Sequence, residues 1–277
     1  MMSKCRDLKK EFQCSYFGFD NVSPKLFVIS ECGPRLLYPV WTGFWLLYHL
    51  AWFAVDPYNA YKDDGNGDKY YFIFLTNWGY IFVGLSNILD FSATIYVHCK
   101  RADLISTHAK SGEPICMPWY LKIVWILFEL SNTVALLITI AFYGLLTPST
   151  KPSSIEKHAI NSLYVLLNLF VCAKPIRILH IIYPVIFGVL YVVFSVIYQK
   201  GGNAAAIYKV LDWDKPGTTV IYAILLIFVG APVIHMSLFS LHKLRIFCQE
   251  RICAKTTPID DKKQNTIKME TVGQDLP

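Results

Sequence analysis

Apolar residues gather along this chain in long uninterrupted runs. Six runs reach or approach the length a helix needs to cross a bilayer, about 20 residues for roughly 30 Å of hydrocarbon. They cover 36–55, 71–97, 119–146, 158–173, 177–199 and 218–241, the last with a basic continuation to 247. The fourth run is short and polar on one side, which predicts the most protein-enclosed span. Only Lys174-Pro175-Ile176 separates it from the fifth, which predicts a tight helical hairpin. The pattern predicts an all-α polytopic membrane protein with a bundle of six transmembrane helices over 36–247. A 1–35 segment precedes the bundle. The polar stretch 248–277 has no apolar period and reads as a disordered tail.

Composition agrees with the pattern. Of 277 residues, 54% are hydrophobic, 15% aromatic and 17% charged, and mean hydropathy is +0.39. Soluble domains carry about 25% charged residues, so a water-soluble globule of this size is excluded. The aromatic residues sit inside apolar runs and not among basic ones, which removes a nucleic-acid reading. The first 35 residues have no apolar core of a cleavable signal, so the first span is expected to act as an uncleaved anchor.

Orientation follows from the basic residues, which concentrate on cytosolic loops. With the N-terminus inside, only Lys62, Lys69, Lys151, Lys157, Lys200, Lys209 and Lys215 of the 26 lysines and arginines lie outside. Both termini are therefore expected in the cytosol. All eight cysteines fall on that side or at its membrane boundary, where thiols stay reduced. Cys99, Cys172, Cys248 and Cys253 lie beside span ends, where S-palmitoylation can occur; an ordinary free thiol is the plainer alternative.

Polar side chains inside the spans carry the remaining information, because an ionisable group in hydrocarbon needs a partner. Asn77, Tyr80, Gly84 and Asn87 share one face of the second span, which must pack against other spans. Asp90 follows on the same helix. Glu129 lies ten residues past Trp119, about 15 Å into the third span by helical rise, and Asn132 follows it. His158, Asn161, Ser162 and Asn168 share a face of the fourth. His235 follows Gly230-Ala231-Pro232 in the sixth, where the proline predicts a kink. Asn77, Asn87, Asp90, Glu129, Asn132, Asn161, Asn168 and His235 are thus expected to form an intramembrane polar network. Lys174, Arg177 and His180 sit at the expected inner interface and are candidates for binding lipid headgroups. Positive-inside anchoring is the plainer explanation of them. No phosphate-binding glycine loop, nucleophile elbow or metal-ligand motif is present, so no metal and no cofactor is expected.

Six segments carry a family resemblance: Tyr16-Phe17-Gly18-Phe19, Leu75-Thr76-Asn77-Trp78-Gly79-Tyr80, His158-Ala159-Ile160-Asn161-Ser162, Pro175-Ile176-Arg177-Ile178-Leu179-His180, Phe194–Gly202 and Ile207–Trp213. In this order, over roughly residues 16–245, the chain resembles the rolling stone proteins. The resemblance implies a role in membrane organisation or cell (myoblast) fusion. More distantly, the layout is similar to the androgen-induced and androgen-dependent membrane hydrolases, which cleave fatty-acid esters of hydroxy fatty acids. That similarity would place a threonine nucleophile at Thr76 and a histidine base at His158. Asn77-Trp78 and Asn161-Ser162 behind them depart from that family's pattern.

Three readings follow. The first is a structural or interaction protein that organises membranes. The second is an intramembrane lipid-ester hydrolase using Thr76 and His158. The third is a small carrier with Asp90 and Glu129 as proton-linked carboxylates. Membrane lipids are the expected partners, with a lipid ester as substrate in the second reading and no nucleic acid in any. The plasma membrane is the expected location, the endoplasmic reticulum the alternative. Protein partners and oligomeric state are not legible.

Overall fold

A computed structural model describes residues 9–19, 22–30, 32–64, 71–106, 116–146 and 151–256. Among the described residues the chain is helical, and pairing of strands is limited to two isolated bridges, Ser30–Cys172 and Tyr208–Leu211. Six long helical stretches run in alternating directions: α1 (Leu37–Asp64), α2 (Leu75–Lys100), α3 (Trp119–Leu145), α4 (152–171), α5 (178–201) and α6 (216–256). Four of them, α2, α3, α5 and α6, are long and apolar enough to cross a membrane. The other two are diluted by Tyr, Trp and His in α1 and by Glu156-Lys157-His158 in α4.

Boundaries moved where a charged residue found a partner. The first run was expected to end at Val55, before Asp56. Asp56 is buried, and Tyr71 and Lys157 hold it, so α1 continues to Asp64. The fourth run was expected to begin at His158; α4 begins six residues earlier and passes through a π-turn at Glu156–Ile160. A second π-turn, Leu225–Gly230, precedes Pro232 in α6. Proline has no N–H to donate and its ring crowds the preceding turn, so the helix widens there. The same helix runs on to Thr256, into the stretch expected as tail; residues 257–277 lie outside the described residues.

The core forms around α3, against which α2 packs closely. Close approach needs glycine at two points. A Cβ on Gly84 would stand 2.0 Å from the Phe53 ring, and one on Gly79 would stand 2.5 Å from Ile138. The most enclosed of the four spanning helices is α3, with 61% of its most apolar window buried. The expectation that the fourth span would be the most enclosed is corrected: α4 turns Leu163, Leu167 and Phe170 outward. Its polar stripe faces the bundle and its apolar stripe does not, as lipid contact requires.

Residues 9–19 and 22–30 fold under one end of the bundle. Phe27 and Val28 are fully buried, and Phe27 packs on Trp125 at a ring separation of 5.0 Å. Glu11 meets Lys243 of α6 at 3.3 Å, so this segment and the end of α6 share one side. At the opposite end the α5–α6 connection forms a compact cap. Gln199 donates to Asp212 and accepts from the Trp213 amide, Trp213 donates to Ser195, and Thr219 donates to the Asp212 carbonyl.

Candidate functional site

The predicted tight hairpin between α4 and α5 is replaced by an extended segment, 172–177, that dives into the bundle. Its depth is set by α3, because Trp125 donates to the Pro175 carbonyl (3.0 Å) and Glu129 accepts from the Arg177 amide (3.2 Å). Irregular backbone survives inside a membrane protein only where its polar groups are satisfied by protein. Here Arg245 of α6 donates to the carbonyls of Leu169, Cys172 and Lys174. His235 holds the Arg177 carbonyl at 2.9 Å. Lys174, fully buried, pairs with Asp90 of α2, and the Tyr38 hydroxyl of α1 donates to the same carboxylate oxygen.

Glu129 organises the neighbouring node. Its Oε1 accepts from Trp125 Nε1 (2.6 Å) and faces His180 Nδ1 at 3.0 Å. His180 Nε2 lies 3.1 Å from the Phe17 carbonyl. A carbonyl only accepts, so His180 Nε2 carries a proton. One further proton is then shared between His180 Nδ1 and Glu129. His235 is placed differently. Its Nε2 donates to the Arg177 carbonyl, and its Nδ1 lies 3.0 Å from the Thr133 hydroxyl, which can take either role. The Arg177 guanidinium donates to the Tyr16 carbonyl and stacks on the Tyr16 ring.

A second polar cluster lies at the other end, around the π-turn of α4. The π-turn carries Glu156, Lys157 and His158, of which Glu156 and His158 are buried and Lys157 is partly so. Lys157 bridges Asp56 (2.6 Å) and Asn77 Oδ1 (2.7 Å). Glu156 accepts from the hydroxyls of Tyr48 and Tyr80. His158 stacks face to face on Phe142 at 3.7 Å, and its Nδ1 is buried without a hydrogen bond.

Thr76, in the first turn of α2, borders an apolar cavity of about 60 Å³ with Leu75, Phe142, Tyr208, Leu211 and Leu226. Burial pushes the Tyr208 phenol above its ordinary value, while its bonds to Thr76 pull the other way. Phe142 is the residue Thr76 and His158 share: it lines the cavity of one and stacks on the other. No hydrogen bond joins Thr76 to His158 among the described residues.

The predicted network therefore divides. Asp90, Glu129 and His235 converge on the 172–177 segment, where they meet the headgroup candidates Lys174, Arg177 and His180. Asn77 and Asn161 join the opposite cluster. Asn87 and Asn168 lie between, held by the Tyr164 hydroxyl and the Trp41 indole. Asn132 is buried beside the Glu129 node, its Nδ2 without a hydrogen bond. Lys174, Arg177 and His180 point into the bundle, because burial lets each meet an acceptor that an exposed interface would not supply. Cys172 is buried, whereas Cys99 and Cys248 are exposed; the Cys253 side chain is outside the described residues. Sequence reasoning missed Asp56, Glu156, Lys157 and Arg245 as interior groups. The count of basic residues places Lys157 in an outer loop and Arg245 in the cytosolic flank, and nothing in the local sequence of the four marks a distant partner.

The rolling stone family model matches residues 1–258. The chain belongs to the rolling stone family. It is 28% identical over 262 residues to Protein rolling stone of Drosophila melanogaster, an alignment covering 87% of this chain and 90% of that protein. No solved structure matches.

Proposed function

We propose that this rolling stone family protein is a six-span organiser of the plasma membrane that acts where membranes are brought together, as in cell fusion. The alternative compartment is the endoplasmic reticulum. Its near-complete alignment with Protein rolling stone carries the reading. The geometry supports it. Polar groups lock the helices to one another, apolar side chains face lipid, and the connections are too short for a separate binding domain. Partners then approach laterally or from the side of the termini. Depletion of the protein from cultured myoblasts, followed by cytoplasmic content mixing between two labelled populations, tests this. Reduced mixing, restored by re-expression, is expected. Unchanged mixing in fully depleted cells removes the role.

A second reading, lipid-ester hydrolysis, is favoured by one observation. The buried Nδ1 of His158 has no partner, and Thr76 borders the cavity that Phe142 closes. In this reading the Thr76 hydroxyl attacks the ester carbonyl and gives its proton to His158. The alcohol leaves with that proton, and water then releases the fatty acid. Rotation of Phe142 must bring the hydroxyl and imidazole to about 3 Å. A fluorophosphonate probe is expected to label the protein and to lose that label in Thr76→Ala and His158→Ala. Absent labelling, or equal labelling of Thr76→Ala, ends the hydrolase reading.

A further inference from the structure

On the side of the α5–α6 cap, the helices leave space that their side chains do not fill. The cavity bordered by Thr76 adjoins a second one of about 70 Å³ between α3, α5 and α6. Leu75, Ile138, Ala141, Leu211 and Leu226 are walls of both. On α3 the pair extends from Val134 to Leu146, about 18 Å by helical rise. Val134 itself lies about 22 Å past Trp119 by the same rise. The two cavities therefore run from the depth of the bilayer towards the surface on the cap side.

Small residues make the space and one of them closes a side of it. Ala141, Gly188, Ala223 and Ala231 stand in the walls, where the same helices elsewhere carry large apolar side chains. Gly188 lets α5 touch α6, since a Cβ there would stand 2.8 Å from Ile227. The side between α3 and α6 differs. Leu137 and Ala141 of α3 and Leu226 of α6 are partly exposed, and Leu145 is exposed by 40%. Behind them Ile138, Ala223 and Ile227 are buried. On a membrane-spanning helix an exposed apolar side chain faces lipid. The cavities therefore open sideways, between α3 and α6, to the hydrocarbon chains of the bilayer.

The lining selects a chemical class. None of the lining residues is charged. Tyr191, in the deeper wall, has its hydroxyl occupied: it donates to the Ile73 carbonyl and accepts from the Leu75 amide. The hydroxyls of Thr76 and Tyr208, bonded to each other, lie at the shallow end. An apolar cavity offers water too few partners and stays dry, and one of about 150 Å³ takes up benzene. The two cavities together approach that size, and their empty walls forgo dispersion contacts that an apolar guest would restore. A free fatty acid would bring a carboxylate that no cation among the lining residues meets. An esterified chain brings only a carbonyl, which a hydroxyl at the shallow end can satisfy.

We propose that one acyl chain of a phospholipid, from the leaflet on the cap side, enters between α3 and α6 and lodges in these cavities with its ester end towards Thr76 and Tyr208. The chain is held with no bond made or broken. This site goes beyond both readings of function above, because a chain lodged there is bound whether or not its ester is cut and whether or not membranes are joined.

The test uses the full chain in phosphatidylcholine vesicles in which part of the lipid carries a diazirine at the end of one acyl chain. Irradiation followed by peptide mass spectrometry reads which residues the chain end touches. Wild type is expected to be labelled at Phe187, Ile227 and Ala231, buried walls of the deeper cavity, as well as at lipid-facing Phe228. Ala141 is a wall of both cavities, so Ala141→Phe is expected to lose the buried labels and keep the label at Phe228. Ala141→Leu, a smaller plug, decides the matter should Ala141→Phe fail to fold. Wild-type labels confined to lipid-facing residues overturn the proposal. So do buried labels that persist in the plugged variant. A diazirine fatty acid that labels the buried walls more strongly than the phospholipid at equal concentration overturns the assignment to an esterified chain. Buried labels in a protein that the fluorophosphonate probe leaves unmodified would keep this site and end the hydrolase reading.

Discussion

Asp90 and Lys174 show how one pair can fasten two helices and the extended segment between α4 and α5. Both are buried, and they meet across 84 residues of sequence. Removing one partner leaves the other charged in a medium that cannot solvate it, which costs about 3–5 kcal/mol. Asp90→Asn and Lys174→Met are therefore expected to lower the thermal midpoint in detergent sharply. The double variant Asp90→Leu with Lys174→Met is expected to recover most of the loss, since no charge then remains unpaired. Equal destabilisation by the double variant would show that the pair acts otherwise. Gly84 makes a different kind of demand, on space. Gly84→Ala drives a methyl into Phe53, for an expected cost of about 1–3 kcal/mol. Phe53→Leu in the same chain should relieve it, as read by thermal unfolding. The glycine was legible as a close-approach point from its place on a polar helix face; the ring it approaches was not.

At the scale of elements, two devices hold irregular backbone. Arg245 gathers the last carbonyls of α4 and the start of the extended segment, placing a cation where a helix ends. Arg245→Gln keeps a donor but loses the charge and the reach to three acceptors. Faster amide exchange over residues 169–177 is the expected outcome. Unchanged protection there would assign the arginine no fastening role. The α5–α6 cap depends on an ionised Asp212. The Gln199 side chain donates to it, helped by the Asp214 amide, and holds its carboxyl below the ordinary aspartate value. A depressed value means the stabilisation is fully present above the ordinary pKa, about 4, and is lost as pH falls through the depressed one. Exchange protection of the Trp213 and Asp214 amides is expected to fall in that acid window in wild type. In Gln199→Leu, protection should already be low at neutral pH. Both devices escaped the sequence pattern for the same reason: a hydrogen bond between elements leaves no periodic trace.

At the scale of the molecule, the segment before α1 behaves as part of the core. Phe27→Ala is expected to cost about 3–5 kcal/mol, the range for truncating a buried aromatic. Phe12→Ala, exposed by 60%, should leave the unfolding midpoint unchanged. The contact of Glu11 with Lys243 puts the described segment before α1 and the latter half of α6 on one side. Epitope tags at the two termini are expected to share one protection state in sealed cells. The expected cytosolic placement further requires both to be masked until the plasma membrane is permeabilised. Opposite states would overturn the six-span arrangement.

The order of apolar runs, by itself, determined a helical membrane protein, and the faces of α2 and α4 that turn inward could be read from their spacing. Those properties are local: they depend on which residues lie three or four positions apart, and on how much apolar surface a run presents to lipid. Only the tertiary structure decided that Lys174, Arg177 and His180 point inward and that Asp56 lets α1 continue. It also decided that Glu156 and His158 are buried in a π-turn. A charge is tolerated in a membrane according to the partner it meets, and that partner lies on another helix, at a distance the linear chain does not encode.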